Sequence, residues 1–148
     1  MEIFSKVKAR FPHLHVKALT AAEIHFLSEQ YGLSVDAVIE KMLEYGVDSM
    51  PGGGAEIFDE EVRAYVCKGK VTSQEWLDIH QKWHEKGKQS NATMLFGHVE
   101  KREHRIDHML RLRDLQDKTG GFNAFIPLVY QRENNYLQVK DFLSSTEI

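Results

Sequence analysis

The stretch Met50-Pro51-Gly52-Gly53-Gly54-Ala55-Glu56-Ile57 sets three consecutive glycines ahead of a carboxylate. Glycine loses more conformational freedom on ordering than any other residue, so a run of three marks a backbone with unusual dihedrals or a close approach to another group. A loop of this kind, flanked by Ser49 and Pro51 and closed by Glu56, suits a polar ligand such as a ribose or an amino group. A tight turn between a strand and a helix is the plainer alternative. A second group, His15, Lys17, Thr20 and Glu23, mixes a cation, a hydroxyl and a carboxylate. A third, Thr93, Phe96, Gly97, His98 and Glu100, ends an apolar run in polar groups. His98 with Glu100 also leaves a metal-dependent hydrolase open.

Two histidine pairs, His80/His84 and His104/His108, have the i,i+4 spacing of a two-histidine metal site. Neither carries the glutamate of His-Glu-x-x-His, and His80 falls on a stripe with Trp76 and Trp83. Packing or solvent is the favoured reading, and no metal site is predicted. Cys67 is the single cysteine, so neither an internal disulfide nor a cysteine-only metal site can form within one chain. It reads as a small buried or surface thiol.

The elements that must position these groups follow from periodicity. Ile3, Phe4, Val7 and Phe11 fit one helical face, stopped by Pro12. His13 to Leu19 alternates as a strand, with Leu14, Val16 and Ala18 on one face and His13, His15 and Lys17 on the other. Thr20-Ala21-Ala22-Glu23 has capping-box spacing and starts a helix ending near Tyr31-Gly32. Ser34 opens another, with Val35, Val38, Ile39, Met42 and Leu43 on one stripe, closed by Gly46. A short strand from Val47 to Met50 enters the glycine loop. Asp59 to Val66 is a short helix, and Lys68-Gly69-Lys70 a turn. Thr72-Ser73-Gln74-Glu75 caps a helix carrying Trp76, Ile79, His80 and Trp83, ended by Gly87. Asn91 to Phe96 is a strand. Arg102 to about Asp117 is a charged helix with Ile106, Met109, Leu110 and Leu115. Phe122 to Val129 is the last strand, with Pro127 expected to stop its pairing. Gln131 to Gln138 is a polar loop.

The result is βαβαβαβ, the pattern of a parallel sheet with crossover helices. In such architectures ligands collect at the carboxyl ends of strands, which places all the polar clusters, Pro127 included, on one rim. Four βα units are half of a barrel that normally needs about 250 residues. The pattern opens inside a helix and closes on the helix-start signal Ser144-Ser145-Thr146-Glu147. Residues 1–148 are therefore expected to be an internal segment of a larger enzyme, a partial barrel domain; a small natural four-stranded domain is the alternative.

Composition narrows the function classes. The chain has 148 residues, 42% hydrophobic and 28% charged, as in an ordinary soluble domain. A net charge of -3 leaves no footprint for nucleic acid or an anionic membrane. No apolar run approaches the ~20 residues of a membrane span, and Met1 to Lys6 lacks a signal-peptide core, so a cytoplasmic location is expected.

Four stretches, Val16 to Ile24, Ser49 to Ile57, Asn91 to Glu100 and Leu115 to Leu128, closely resemble the aminofutalosine synthase family of radical S-adenosylmethionine (SAM) enzymes. The likeness runs from about residue 11 to 135. A sister family, dehypoxanthine futalosine cyclase, shares the glycine loop and Phe96 to Glu100, whereas Lys17 to Glu23 and Ser90 to Thr93 look more like the synthase. The resemblance implies an α/β fold, four consecutive βα units of a radical SAM TIM-type barrel, and as cofactors S-adenosylmethionine and a [4Fe–4S] cluster. In that family the cofactor is cleaved reductively to a 5′-deoxyadenosyl radical. The radical adds to the enol ether of 3-[(1-carboxyvinyl)oxy]benzoate, and rearrangement with loss of carboxylate gives 6-amino-6-deoxyfutalosine for menaquinone synthesis.

By the same resemblance Ser49, Pro51, Gly52, Gly53, Glu56, Thr93, Phe96, Gly97, His98 and Glu100 are expected to contact S-adenosylmethionine. The Phe96 and Gly97 backbone would meet the adenine edge. His15, Lys17, Thr20, Glu23 and Pro127 are expected to face substrate, with Lys17 pairing a carboxylate if the odd-numbered residues of its strand point inward. Glu100 capping the Arg102 helix and His98 as an exposed loop residue are the alternatives. The family's Cys-x3-Cys-x2-Cys loop is absent, so the chain is expected to be inactive alone. The expected partner is a small-molecule substrate. Exposed parallel edges leave self-association open, and a non-catalytic half-barrel that pairs through them is a further alternative.

Overall fold

The computed structural model describes residues 2–131 together with 133, 134, 137 and 139. Among them are six helices, α1 (Glu2–Arg10), α2 (Ala21–Tyr31), α3 (Val35–Glu44), α4 (Glu60–Val66), α5 (Ser73–Glu85) and α6 (Arg102–Thr119), and three strands, β1 (Ser49–Met50), β2 (Gln89–Phe96) and β3 (Phe122–Val129). Local chemistry sets the helix starts. Thr20 and Thr72 each form a complete capping box, with Glu23 and Glu75 respectively, and Ser34 and Asp59 cap α3 and α4 through their side-chain oxygens. Gly32 and Gly120 close α2 and α6 in the left-handed conformation.

The strands are parallel in the order β1-β2-β3, joined by helical crossovers. The expected strand over 13–19 is reduced to one parallel bridge, Lys17 to Ser49, beyond β1. Its amides explain the loss. Leu14 N–H donates to Phe11 in a turn, the Val16 amide is taken by the Asp48 carboxylate at 2.8 Å, and Leu19 turns the chain away at φ 60°. The neighbouring strand shortens to Ser49–Met50 because Val47 N–H closes back on Met42 at 2.9 Å.

Pro127 does not stop pairing: Pro127, Leu128 and Val129 lie opposite Met94, Leu95 and Phe96. Tyr130 N–H donates to Phe96 at 2.8 Å, so amides alternate and the proline nitrogen falls on the open edge, where no ladder bond is lost. A register shift between Ser90 and Asn91 makes Asn123 the extra residue of a bulge.

In β2 the residues Ser90, Ala92, Met94 and Phe96 are buried, while Asn91, Thr93 and Leu95 are only half-buried. The first set packs on the helices, where Ile24, Val38, Ile39, Met42, Met50, Phe58, Trp76, Ile79 and Trp83 make the main core. In α6 the buried stripe is His108, Leu112 and Leu115, whereas Ile106, Met109 and Leu110 are exposed. The apolar set expected there spans two stripes, and the sheet takes only the one holding Leu115. Half of the polar loop over 131–138, and the whole of the helix start over 144–147, fall outside the described residues.

Candidate functional site

Each glycine of the 52–54 run has its own geometric reason. A Cβ on Gly52 would lie 2.7 Å from the Asn91 carbonyl oxygen and 2.9 Å from Thr93 Cγ2, so the loop packs on the backbone of β2. A Cβ on Gly53 would meet Thr20 Cγ2 at 2.9 Å, and Gly54 has φ +90°. Glu56 is also left-handed, at φ 41°. The loop carbonyls turn into the protein. Thr93 Oγ1 donates to Gly52 O at 2.6 Å and Trp76 Nε1 to Gly53 O at 3.2 Å. Arg63 donates to Gly54 O at 3.1 Å, Ala55 O at 2.6 Å, Ile57 O at 3.1 Å and also to Val71 O.

Arg63 is 3% exposed and is not among the residues singled out from the sequence, since arginine is almost never fully buried unless paired. One signal was present: it sits beside Val62 and three positions before Val66, on the side of α4 that faces the loop. The Glu56 carboxylate pairs with Lys70 at 3.0 Å, and its carbonyl accepts from Leu95 N–H at 2.8 Å.

Beside the loop, His15 Nε2 meets Ser49 Oγ at 2.7 Å, and Lys17 Nζ donates to Asn91 Oδ1 at 3.2 Å. Val16 and Ala18 pack toward the core. The odd-numbered residues of this segment therefore face away from the helices, and His15, Lys17, Ser49, Asn91 and Thr93 form a polar row on one face of the sheet. Thr20 adjoins it through Gly53. Both the amide and the hydroxyl of Thr20 donate to Glu23 Oε2, at 2.7 and 2.8 Å, so that carboxylate is engaged in the cap of α2.

The 96–100 turn is built differently. Glu100 accepts from the Gly97 amide at 2.7 Å and the His98 amide at 2.8 Å, and its side chain is 1% exposed. It closes its own turn and does not cap α6, whose N-terminal amide at Lys101 instead donates to His104 Nδ1 at 3.2 Å. The Phe96 side chain points to the helix layer, and its carbonyl is taken by Tyr130. His98 is buried rather than an exposed loop residue. Its Nδ1 accepts from Val99 N–H at 2.8 Å, so Nε2 carries the proton given to Leu95 O at 3.0 Å. Burial lowers its pKa, and the neutral ring leaves the 3.2 Å approach of Nδ1 to Glu100 without ionic character. Pro127 lines a groove with Met94, Phe96 and Arg105 on the α6 side, apart from the polar row.

The histidines of the two pairs make hydrogen bonds within the protein. His80 and His84 are buried and share the Ser90 hydroxyl at 2.7 Å each; His108 is buried against Phe58 and gives its Nε2 proton to Thr93 O at 2.9 Å. Among the described residues no three His, Cys, Asp or Glu side chains converge as a metal site. Cys67 is buried, and burial pushes its thiol up, away from the thiolate a metal requires. A [4Fe–4S] cluster does not fit the donor set of this chain.

A parallel sheet with helical crossovers on one face and a polar row beside a glycine loop on the other is half of the architecture of an α/β barrel enzyme. The model of the radical SAM superfamily matches residues 5–112, and the chain belongs to that superfamily. Over 137 residues it is 50% identical to aminodeoxyfutalosine synthase of Thermus thermophilus, covering 93% of this chain and 37% of that protein. The enzyme of the same name from Streptomyces coelicolor is 45% identical over 92% of this chain and 35% of its own length. A 5-amino-6-(D-ribitylamino)uracil--L-tyrosine 4-hydroxyphenyl transferase of Methanosarcina barkeri is 38% identical over 91% of this chain and 35% of its own. The chain thus spans little over a third of the curated relatives it matches. Among solved structures, Streptococcus suis SuiB superposes with a TM-score of 0.46 at 11% identity, over 85% of this chain and 37% of that one. No helix among the described residues is long and apolar enough to cross a membrane.

Proposed function

We propose that this chain supplies one wall of a radical SAM enzyme that makes 6-amino-6-deoxyfutalosine, joining the 5′-deoxyadenosyl group of S-adenosylmethionine to 3-[(1-carboxyvinyl)oxy]benzoate. The 50% identity to an aminodeoxyfutalosine synthase over 93% of the chain carries this reading. The geometry supports it. The glycine loop, with Ser49, Pro51 and Glu56, lies where a barrel strand ends, and Lys17 puts a cation on the same face for a benzoate or enol-ether carboxylate. S-adenosylmethionine would supply the reactive carbon. The chain's own residues position the two molecules and exclude water.

Isothermal titration with S-adenosylmethionine tests the wall, with binding expected for the parent chain and a loss of about tenfold or more for Gly52→Ala, whose Cβ overlaps β2. Equal affinity in the two proteins would remove the loop from the site. The 148 residues alone are expected to form no product under reducing, anaerobic conditions, because the cluster donors are missing.

A second reading has its own observation. Phe125, Ile126 and Leu128 are 44%, 40% and 49% exposed on β3, the edge of the sheet among the described residues, which favours self-association through that strand. Light scattering should then show a defined dimer that Ile126→Lys converts to monomer; a monomer at all concentrations rejects it.

A further inference from the structure

We propose that Arg63 is a positioning residue for the glycine loop, holding its peptide planes so that loop amides are left unpaired by the protein and open to a ligand. The proposal rests on the reading of the loop as a ligand wall.

Three observations carry it. Arg63 is 3% exposed, and among the described residues the one carboxylate within 4.0 Å of it is Glu60, at that distance from Nε. Glu60 Oε1 is already engaged by the Ser73 amide and hydroxyl, at 2.8 and 2.5 Å. The buried charge is thus solvated chiefly by the carbonyls of Gly54, Ala55, Ile57 and Val71. An apolar side chain of similar volume would avoid desolvating a cation but would leave these four carbonyls without donors. What the guanidinium adds is a rigid fork of donors that dictates where several carbonyls point.

The peptide bond converts that into a statement about donors. In a trans peptide the carbonyl of one residue and the N–H of the next point in opposite directions, and no peptide here is cis. Turning Gly52 O onto Thr93, Gly53 O onto Trp76, and Gly54 O and Ala55 O onto Arg63 aims the amides of Gly53, Gly54, Ala55 and Glu56 away from those partners. Among the described residues none of these four amides donates to a protein acceptor. Ala55 is fully buried, so the amides within reach of a ligand are those of the half-buried Gly53, Gly54 and Glu56. The segment holds two left-handed residues, Gly54 and Glu56, so its planes can turn over if nothing fixes them. Arg63 fixes two of the four.

The test compares the full chain with Arg63→Lys and Arg63→Met, and with Val38→Ala as a control that loses core packing away from the loop. Amide hydrogen exchange over 53–58 and the dissociation constant for S-adenosylmethionine are both measured. Both Arg63 variants should exchange faster in this segment and bind roughly ten- to a hundredfold more weakly, since each leaves carbonyls without donors. Lysine should not rescue, being a point charge without the fork. Val38→Ala should keep parent affinity at a comparable loss of melting temperature. Parent-like exchange in Arg63→Lys overturns the proposal, as does faster exchange with unchanged affinity. If Arg63→Met does not fold, Arg63→Lys decides. If the parent chain itself does not bind S-adenosylmethionine, the ligand-wall reading fails while the exchange comparison still decides what Arg63 holds.

Discussion

Ser90 settles the protonation of two histidines at once. The Thr119 hydroxyl gives its proton to Leu115 O at 2.9 Å, so His84 Nδ1 must donate to Thr119 at 2.8 Å. His84 Nε2 therefore accepts from Ser90, and Ser90 accepts from His80 Nδ1, leaving His80 Nε2 bare and without a partner. His108 is likewise neutral, with an unpartnered Nδ1. Burial holds His84 and His108 to pKa values of about 4, and pushes His80 well below the ordinary imidazole value. His84 and His108 bind protons in the unfolded chain near pH 6.5 but not in the folded one until about 4, so their contribution is complete above 6.5 and lost as pH falls through that window. Urea unfolding from pH 7.5 to 4.5 should show stability falling by of the order of 2 kcal/mol per histidine. A flat profile would contradict the neutral assignment. The same cluster explains Gly121, where an added Cβ would overlap the His84 ring. Gly121→Ala should cost about 2 kcal/mol or more, visible as a lower melting temperature.

At the scale of elements, the two capping boxes were legible because they rest on contacts only three residues apart. The Thr72 amide and hydroxyl both bind the Glu75 carboxylate and hold it below its usual pKa. Thr72→Ala should destabilise by about 1 kcal/mol in urea unfolding, and Glu75→Gln added to it should cost little more, since the two share one interaction. Strand lengths were less legible. The alternation from His13 to Leu19 put Lys17 and His15 on one face without deciding which way that face points, and the packing of Val16 and Ala18 on the core turns it away from the helices. Yet a strand exists only where a neighbour offers carbonyls in register, and the Asp48 carboxylate, the turn at Leu14 and the left-handed Leu19 leave a single bridge. Pro127 shows the same limit in reverse: proline forbids pairing on one side only, and which side faces β2 is a property of the sheet.

For the whole molecule, a lone buried cysteine and the absence of converging metal donors among the described residues predict that anaerobic reconstitution with iron and sulfide gives no stoichiometric [4Fe–4S] cluster. Iron and acid-labile sulfide analysis checks this, and one cluster per chain would overturn the reading of the donor set. The sequence alone determined the parallel βα order, the helix caps, the superfamily and the position of the glycine loop at a strand end, because each depends on local spacing or on long motifs kept in order. Only the tertiary structure decided the roles within the site. Glu100 became a turn closure, His98 a buried neutral ring and Glu23 a helix cap, because each carboxylate or imidazole takes the nearest amides folding brings to it. Arg63 emerged as the holder of the glycine loop for the same reason: carbonyls from residues 54 to 71 converge on one guanidinium only once α4 has folded back over them.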